Sequence, residues 1–129
     1  MPLLLDTGPF AMILVDSGWM TVAARRAIGD SDKVFVSAIS LYEIGQKIRL
    51  GKWDEMAAAV PRMISGAAEA GIEILPLSPE ISLSAALLDW DHRDPFDRMI
   101  AATALQEGVP LVSSDAAFDR IGVKRVWEG

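Results

Sequence analysis

"LLLDTGP", residues 3–9, is the stretch on which the fold turns. An apolar run broken by Asp-Thr-Gly is what an aspartic protease shows at its catalytic turn. The same letters also put a carboxylate at the C-terminal end of a strand, the edge where open parallel sheets place their ligands. The residues that follow separate the two. Proteases of that kind are rich in β-structure and need a second Asp, supplied by dimerisation when the motif occurs once. Here helical patterns dominate after residue 10, and Pro9 stands where those enzymes favour a small residue.

Outward from that stretch the apolar pattern alternates between short runs and helical stripes. Residues 2–6 read as a buried strand, and Gly8-Pro9 then launches "FAMILV", a helical turn or two. "GWMTVAARRAIGD" (18–30) spaces Trp19, Val22, Ala23 and Ala27 as a helix does. "KVFVS" (33–37) is a second strand, and Ser37 caps a helix over residues 38–50 that stops at Gly51. A helical region over 54–70 must restart or kink at Pro61, which lacks the N–H a helix interior needs. "GIEILPL" (71–77) is a third strand, followed by a helix over 79–91. "DPFDRMIAATALQEG" (94–108) is a helix with strong start and stop signals. "VPLVSSD" (109–115), "AAFDRIG" (116–122) and "VKRVW" (123–127) complete the chain as strand, short helix and strand. Strands separated by helices imply βαβ units, hence an α/β fold with a mostly parallel central sheet flanked by helices.

The chain has 129 residues, the size of a single domain, and 51% of them are hydrophobic, enough for one core without staples. Cysteine is absent, which excludes disulfides and thiolate metal sites and fits a cytoplasmic home. Asp6 interrupts the only early apolar run, so neither a signal peptide nor a membrane span is expected. A net charge of −6 argues against nucleic acid as a partner, unless some acids hold divalent cations and reverse the local field.

The acids fall in a suggestive order. Asp6 ends the first strand, where it can serve a site or cap the following helix. Glu43 lies with Ser40 and Lys47 on one polar stripe of an otherwise apolar helix; the plainer reading is an exposed Glu43–Lys47 pair four residues apart. In "HRDPFDRMIAATAL", Asp94 suits the N-cap and Pro95 the first helical position, leaving Asp97 in the electropositive first turn. Asp115 ends the strand "PLVSS", and Ser113 beside it can cap a helix or bond a carboxylate. Asp119 either joins the site or faces solvent. With no cysteine and His92 the one histidine, such a set suits Mg²⁺ or Mn²⁺ over zinc, and such ions go with phosphoryl chemistry.

Taken together, these motifs resemble the PIN domain, and in particular the VapC-type toxin ribonucleases of VapBC toxin–antitoxin systems. "LLLDTGP" resembles that family's first acid motif, "VSAISLYEIGQKIRLGKW" its glutamate helix, "HRDPFDRMIAATAL" its most recognisable stretch, and "LVSSDAAF" its fourth-acid motif. The resemblance covers nearly the whole chain and implies a single PIN-like nuclease domain over residues 1–129. It implies Asp6, Glu43, Asp97 and Asp115 as catalytic and metal-ligating residues, with Asp94, Ser113, Lys47 and Arg98 as accessories. Lys47 and Arg98 would orient carboxylates or contact phosphates. The implied reaction is Mg²⁺- or Mn²⁺-dependent hydrolysis of RNA, leaving a 3′-hydroxyl and a 5′-phosphate. The implied partners are an RNA substrate, a VapB-like antitoxin in the active-site groove, and a second copy in a homodimer.

Other residues read more plainly. His92 is assigned to surface or packing, since no second His or Cys accompanies it. Trp53 is expected to be half-buried at a helix end rather than to stack on a base. The alternative function is a non-catalytic receiver-like or scaffold α/β module. A receiver needs an acidic pair after the first strand, an Asp after the third and a late Lys; the sequence offers Asp6 alone, Pro76-Leu77-Ser78 and "LVSSD".

Overall fold

Three leucines open the sheet. Leu3, Leu4 and Leu5 form β1 (Leu3–Leu5), and all three are buried, the mark of a strand covered on both faces. The computed structural model describes residues 1–16 and 19–128. In chain order, β1 is followed by α1 (Thr7–Leu14), α2 (Val22–Asp30), β2 (Val34–Ser37) and α3 (Ala38–Arg49). Then come a 3-10 helix (Asp54–Arg62), α4 (Met63–Glu69), β3 (Ile72–Leu75), α5 (Pro79–Leu87) and α6 (Pro95–Glu107). β4 (Leu111–Val112), a second 3-10 helix (Ala116–Ile121) and β5 (Arg125–Val126) close the chain.

The strands form one five-stranded parallel sheet in the order β3-β2-β1-β4-β5. β1 lies at its centre, with Leu4 opposite Phe35 on one side and Leu111 on the other. Side chains alternate across the sheet. Leu3, Leu5, Val36, Ile72 and Val112 pack with Phe10, Ala24, Ile44 and Met63. Leu4 and Leu111 face the other way, onto Ile100, Ala101, Ala104 and Phe118. Helices therefore cover both faces. The chain winds out from β1 through β2 to β3, then returns past β1 to β4. That reversal makes the C-terminal ends of β1 and β4 a topological switch point, where such sheets bind ligands.

Caps set the helices as their residue types require. Ser37 accepts from the Ile39 N–H at 3.1 Å, Ser78 from Ile81 at 3.1 Å, and Asp94 from Phe96 at 2.8 Å. Gly108, at φ 67°, closes α6 in the left-handed conformation that glycine adopts without penalty.

The expected α/β order holds, with local corrections. α1 already starts at Thr7, because Pro9 falls in the first turn, where a missing N–H costs nothing. Region 54–70 splits into a 3-10 helix containing Pro61 and the separate α4. α5 ends at Leu87 rather than residue 91, and Leu88 is extended. β4 and β5 pair over two residues each, shorter than their apolar runs. The expected 18–30 helix starts only at Val22, where the Thr21 side chain caps it by accepting from the Ala24 N–H, and Gly18 lies outside the described residues. Among the described residues no helix is long and apolar enough to cross a membrane.

Candidate active site

Asp6 leaves β1 at the switch point and is held on both carboxylate oxygens. Its Oδ1 accepts from the Thr7 N–H at 2.9 Å, and its Oδ2 from Ser113 Oγ at 2.7 Å. Ser113 leaves β4 beside it, is fully buried, and accepts the Asp115 N–H at 3.0 Å. One hydroxyl thus ties the acid after β1 to the acid after β4. Asp115 is exposed and caps the second 3-10 helix through Ala117, at 2.9 Å.

Thr7 links Asp6 to the glutamate helix. Its Oγ1 donates to Glu43 Oε1 at 2.7 Å and lies 2.9 Å from Ser40 Oγ. Glu43 is 7% exposed, so the reading of an exposed Glu43–Lys47 strip fails on the carboxylate: α3 turns Ser40 and Glu43 inward. The Lys47 ammonium remains partly exposed, 3.1 Å from Glu43 Oε2 and 5.4 Å from the Trp53 ring centroid. Trp53 is half-buried against the core, as expected.

Asp97 enters from the first turn of α6. Its Oδ2 shares a 2.6 Å hydrogen bond with His92 Nε2. His92 packs on Trp90, within its expected surface or packing role, and adds the bond to Asp97, which was not expected. No sequence signal marks it, because the loop that presents it has no periodicity. Thr7 was likewise missed; a polar residue directly after a strand-end Asp, ahead of an apolar helix, was the available signal.

These groups act on one another through their charges. Burial pushes the Asp6 carboxyl above the usual carboxylate range; the Ser113 and Thr7 hydrogen bonds oppose the shift, while Glu43 and Asp115 reinforce it. Burial pushes Asp97 up to about 6, opposed by the His92 hydrogen bond and reinforced by the charges of Asp6 and Asp94. His92 is raised in turn, first by its bond to Asp97, then against burial by Asp97, Asp115 and Asp94. Asp6 thus interacts with the charges of Glu43, Asp115 and Asp97. Such crowding of like charges, all on oxygen donors, fits a hard divalent cation. The tightest grouping of possible ligand atoms among the described residues is His92, Asp94 and Asp97, all within 4.8 Å. It shares Asp97 with the acid cluster, but Asp94 spends Oδ1 on the Phe96 cap.

Arg98 requires a correction. It neither orients a carboxylate nor faces a phosphate site. Its guanidinium donates to the carbonyls of Ala85 (3.0 Å), Ala86 (3.3 Å), Leu88 (2.7 Å), Trp90 (2.8 Å) and His92 (2.9 Å). It takes up the orphan carbonyls at the end of α5, which explains why that helix stops early, and it shapes the loop that carries His92. Asp119 pairs with Arg125 at 3.0 Å on the surface.

Comparisons with known proteins agree with this geometry. The family model described as the PIN domain matches residues 3–124. Ribonuclease VapC22 of Mycobacterium tuberculosis is 30% identical over 99 residues, 74% of this chain and 73% of that protein. Among solved structures, VapBC2 from Rickettsia felis, bound to a DNA fragment from its promoter, superposes with a TM-score of 0.67 at 16% identity, covering 98% of this chain and 99% of that one. VapC20 of Mycobacterium tuberculosis, a sarcin–ricin loop cleaving toxin, gives 0.66 at 15% identity with the same coverage of both chains, 98% and 99%. At those identities the two superpositions speak for the fold.

Proposed function

The chain belongs to the PIN domain family, and from that premise we propose that it is a Mg²⁺- or Mn²⁺-dependent endoribonuclease, the toxin of a type II toxin–antitoxin pair. Residues 1–129 act as one nuclease domain in the cytoplasm, as a homodimer, and a VapB-like antitoxin silences the site. The observation that carries this reading is the hydrogen-bond chain that brings the acids together: Ser113 ties Asp6 to Asp115, and Thr7 ties Asp6 to Glu43. The relation to Ribonuclease VapC22 supports RNA as the substrate. The antitoxin is supported by the structural likeness to VapBC assemblies such as that of Salmonella typhimurium, with a TM-score of 0.67.

Asp6, Glu43, Asp97 and Asp115 would hold the cation. When bound, it would supply Lewis-acid activation of water and charge stabilisation for an in-line displacement at phosphorus. The chain's own part is to pre-organise the donors. Ser113 and Thr7 fix the Asp6 rotamer from both sides, and Thr7 with Lys47 fixes Glu43. His92 steadies Asp97 through Nε2. Asp94 acts as a cap, and its accessory role is to set the start of α6 and so the height of Asp97.

The test is cleavage of a mixed RNA pool by the purified protein with Mn²⁺, with Mg²⁺ and with EDTA, alongside Asp6→Asn and Asp97→Asn. Cleavage should need the ion and vanish in both variants, which should melt at or above the wild-type temperature. Metal-dependent cleavage that survives either substitution would overturn the assignment.

A further inference from the structure

Lys47 reaches back along α3. A helical side chain leans toward the N-terminus, so the long Lys47 stem points toward Glu43 one turn before it, and its ammonium lies 3.1 Å from Glu43 Oε2. Thr7 Oγ1 donates to the other oxygen, Oε1, at 2.7 Å, so the carboxylate is held at both ends. The two donors are not equally secure. Thr7 is 4% exposed and has one short rotor, whereas the Lys47 side chain is 44% exposed on a flexible four-carbon stem. How firmly Glu43 is fixed therefore depends on what fixes Lys47.

The Trp53 ring is in place to do so. Gly51, at φ 71°, ends α3 in the left-handed conformation. Its N–H donates to the Ile48 carbonyl at 3.0 Å, and the Lys52 N–H donates to the Lys47 carbonyl at 2.8 Å. That pairing folds the chain back over the last turn of the helix and brings Trp53 beside Lys47. Trp53 packs against the core, and its carbonyl accepts the N–H of buried Met56 at 3.1 Å, so the ring is the anchored partner. The ammonium lies 5.4 Å from the ring centroid, within the roughly 6 Å over which an aromatic face attracts a cation. Lys33 makes a similar pair of contacts, with Glu73 at 2.8 Å and the Phe35 ring at 5.9 Å. There both charged side chains are half in solvent, and water readily replaces either. Glu43 is 7% exposed, and a buried carboxylate that loses a donor has little water to take its place.

We propose that Trp53 is a positioning residue: its ring holds the Lys47 ammonium against Glu43 Oε2 and so fixes one carboxylate of the acid cluster. The inference rests on the nuclease reading. It assigns Trp53 a task in turnover rather than in binding the RNA.

The experiment uses the whole chain with two readouts. The first is carbon–proton NMR of the lysine ε-methylenes in EDTA, where an indole face shields protons lying over it. The Lys47 signal, identified by its loss in Lys47→Met, should lie upfield of Lys52. It should move to the Lys52 position in Trp53→Leu and stay shifted in Trp53→Phe. The second is RNA cleavage at saturating Mn²⁺. Trp53→Leu should lower kcat about fivefold with KM unchanged, and Trp53→Phe should recover most of it. Lys47→Met should cost about tenfold or more, and adding Trp53→Leu to it should cost nothing further, because the ring acts through the ammonium. Melting curves verify that each variant folds. A full fivefold loss in the Lys47→Met background would show that the ring only packs, and would overturn the proposal. So would wild-type kcat in Trp53→Leu, or a rise in KM alone, which would make Trp53 an RNA contact. In each of those cases RNA is still cut and the nuclease reading stands. If the wild type cuts no RNA with either metal, the nuclease reading falls and takes the proposal with it.

Discussion

Ser113 Oγ donates to Asp6 Oδ2 at 2.7 Å across 107 positions of chain, and the same oxygen accepts the Asp115 N–H at 3.0 Å. The hydroxyl therefore sets the spacing of two acids that otherwise share nothing but a sheet edge. Groups that orient metal-holding carboxylates typically matter about 10–100-fold. Ser113→Ala should lose that much RNA cleavage at saturating Mn²⁺ while keeping its circular dichroism spectrum, and Ser113→Thr should restore most of it. Wild-type turnover in Ser113→Ala would show that the acids hold their places without it.

Arg98 carries a different burden. Five carbonyls between Ala85 and His92 depend on one planar fork, and lysine cannot reproduce that geometry. Charge-assisted hydrogen bonds of this kind contribute about 1.5–3 kcal/mol each, with strong non-additivity. Arg98→Lys should lower the urea midpoint by the equivalent of about 2 kcal/mol or more. It should also broaden the His92 imidazole NMR signals as the loop loosens. A midpoint unchanged from wild type would mean the loop holds itself.

The acid cluster sets a pH dependence whose sign follows from burial. Asp97 titrates at about 6 in the folded protein against 3.8 in the free chain, and Asp6 is shifted in the same direction. The folded state then binds more protons than the unfolded state across that window. The stabilisation is complete below 3.8 and disappears as pH rises through about 6. His92, raised above 6.5, adds a loss of the same sign at slightly higher pH. In EDTA, Tm should therefore fall between pH 5 and pH 7.5. Asp97→Asn should flatten that fall, and Mg²⁺ or Mn²⁺ should raise Tm most at the upper end. A metal-free Tm that climbs over this range would show that the acids are not crowded.

Much of the architecture was written locally. The apolar runs at 2–6 and 33–37 place β1 and β2, and Ser37, Ser78 and Asp94 mark helix starts because a cap is a contact between near neighbours. The early stop of α5 was not legible, since its cause is Arg98, a residue on the next helix whose side chain reaches back to Ala85 and Ala86. For the same reason Arg98 invited a role in catalysis: an arginine beside an acid looks functional until its carbonyl partners are known.

The sequence by itself determined the strand and helix order, the caps, and the acids offered at Asp6, Asp97 and Asp115, since each depends on a residue and its neighbours within a few positions. Only the tertiary structure decided that Glu43 faces inward to Thr7, that Ser113 bridges Asp6 and Asp115, and that His92 closes on Asp97. The first two are contacts between elements distant in sequence, and the third runs through an aperiodic loop. Period and propensity carry no information about them until the sheet brings its strand ends together.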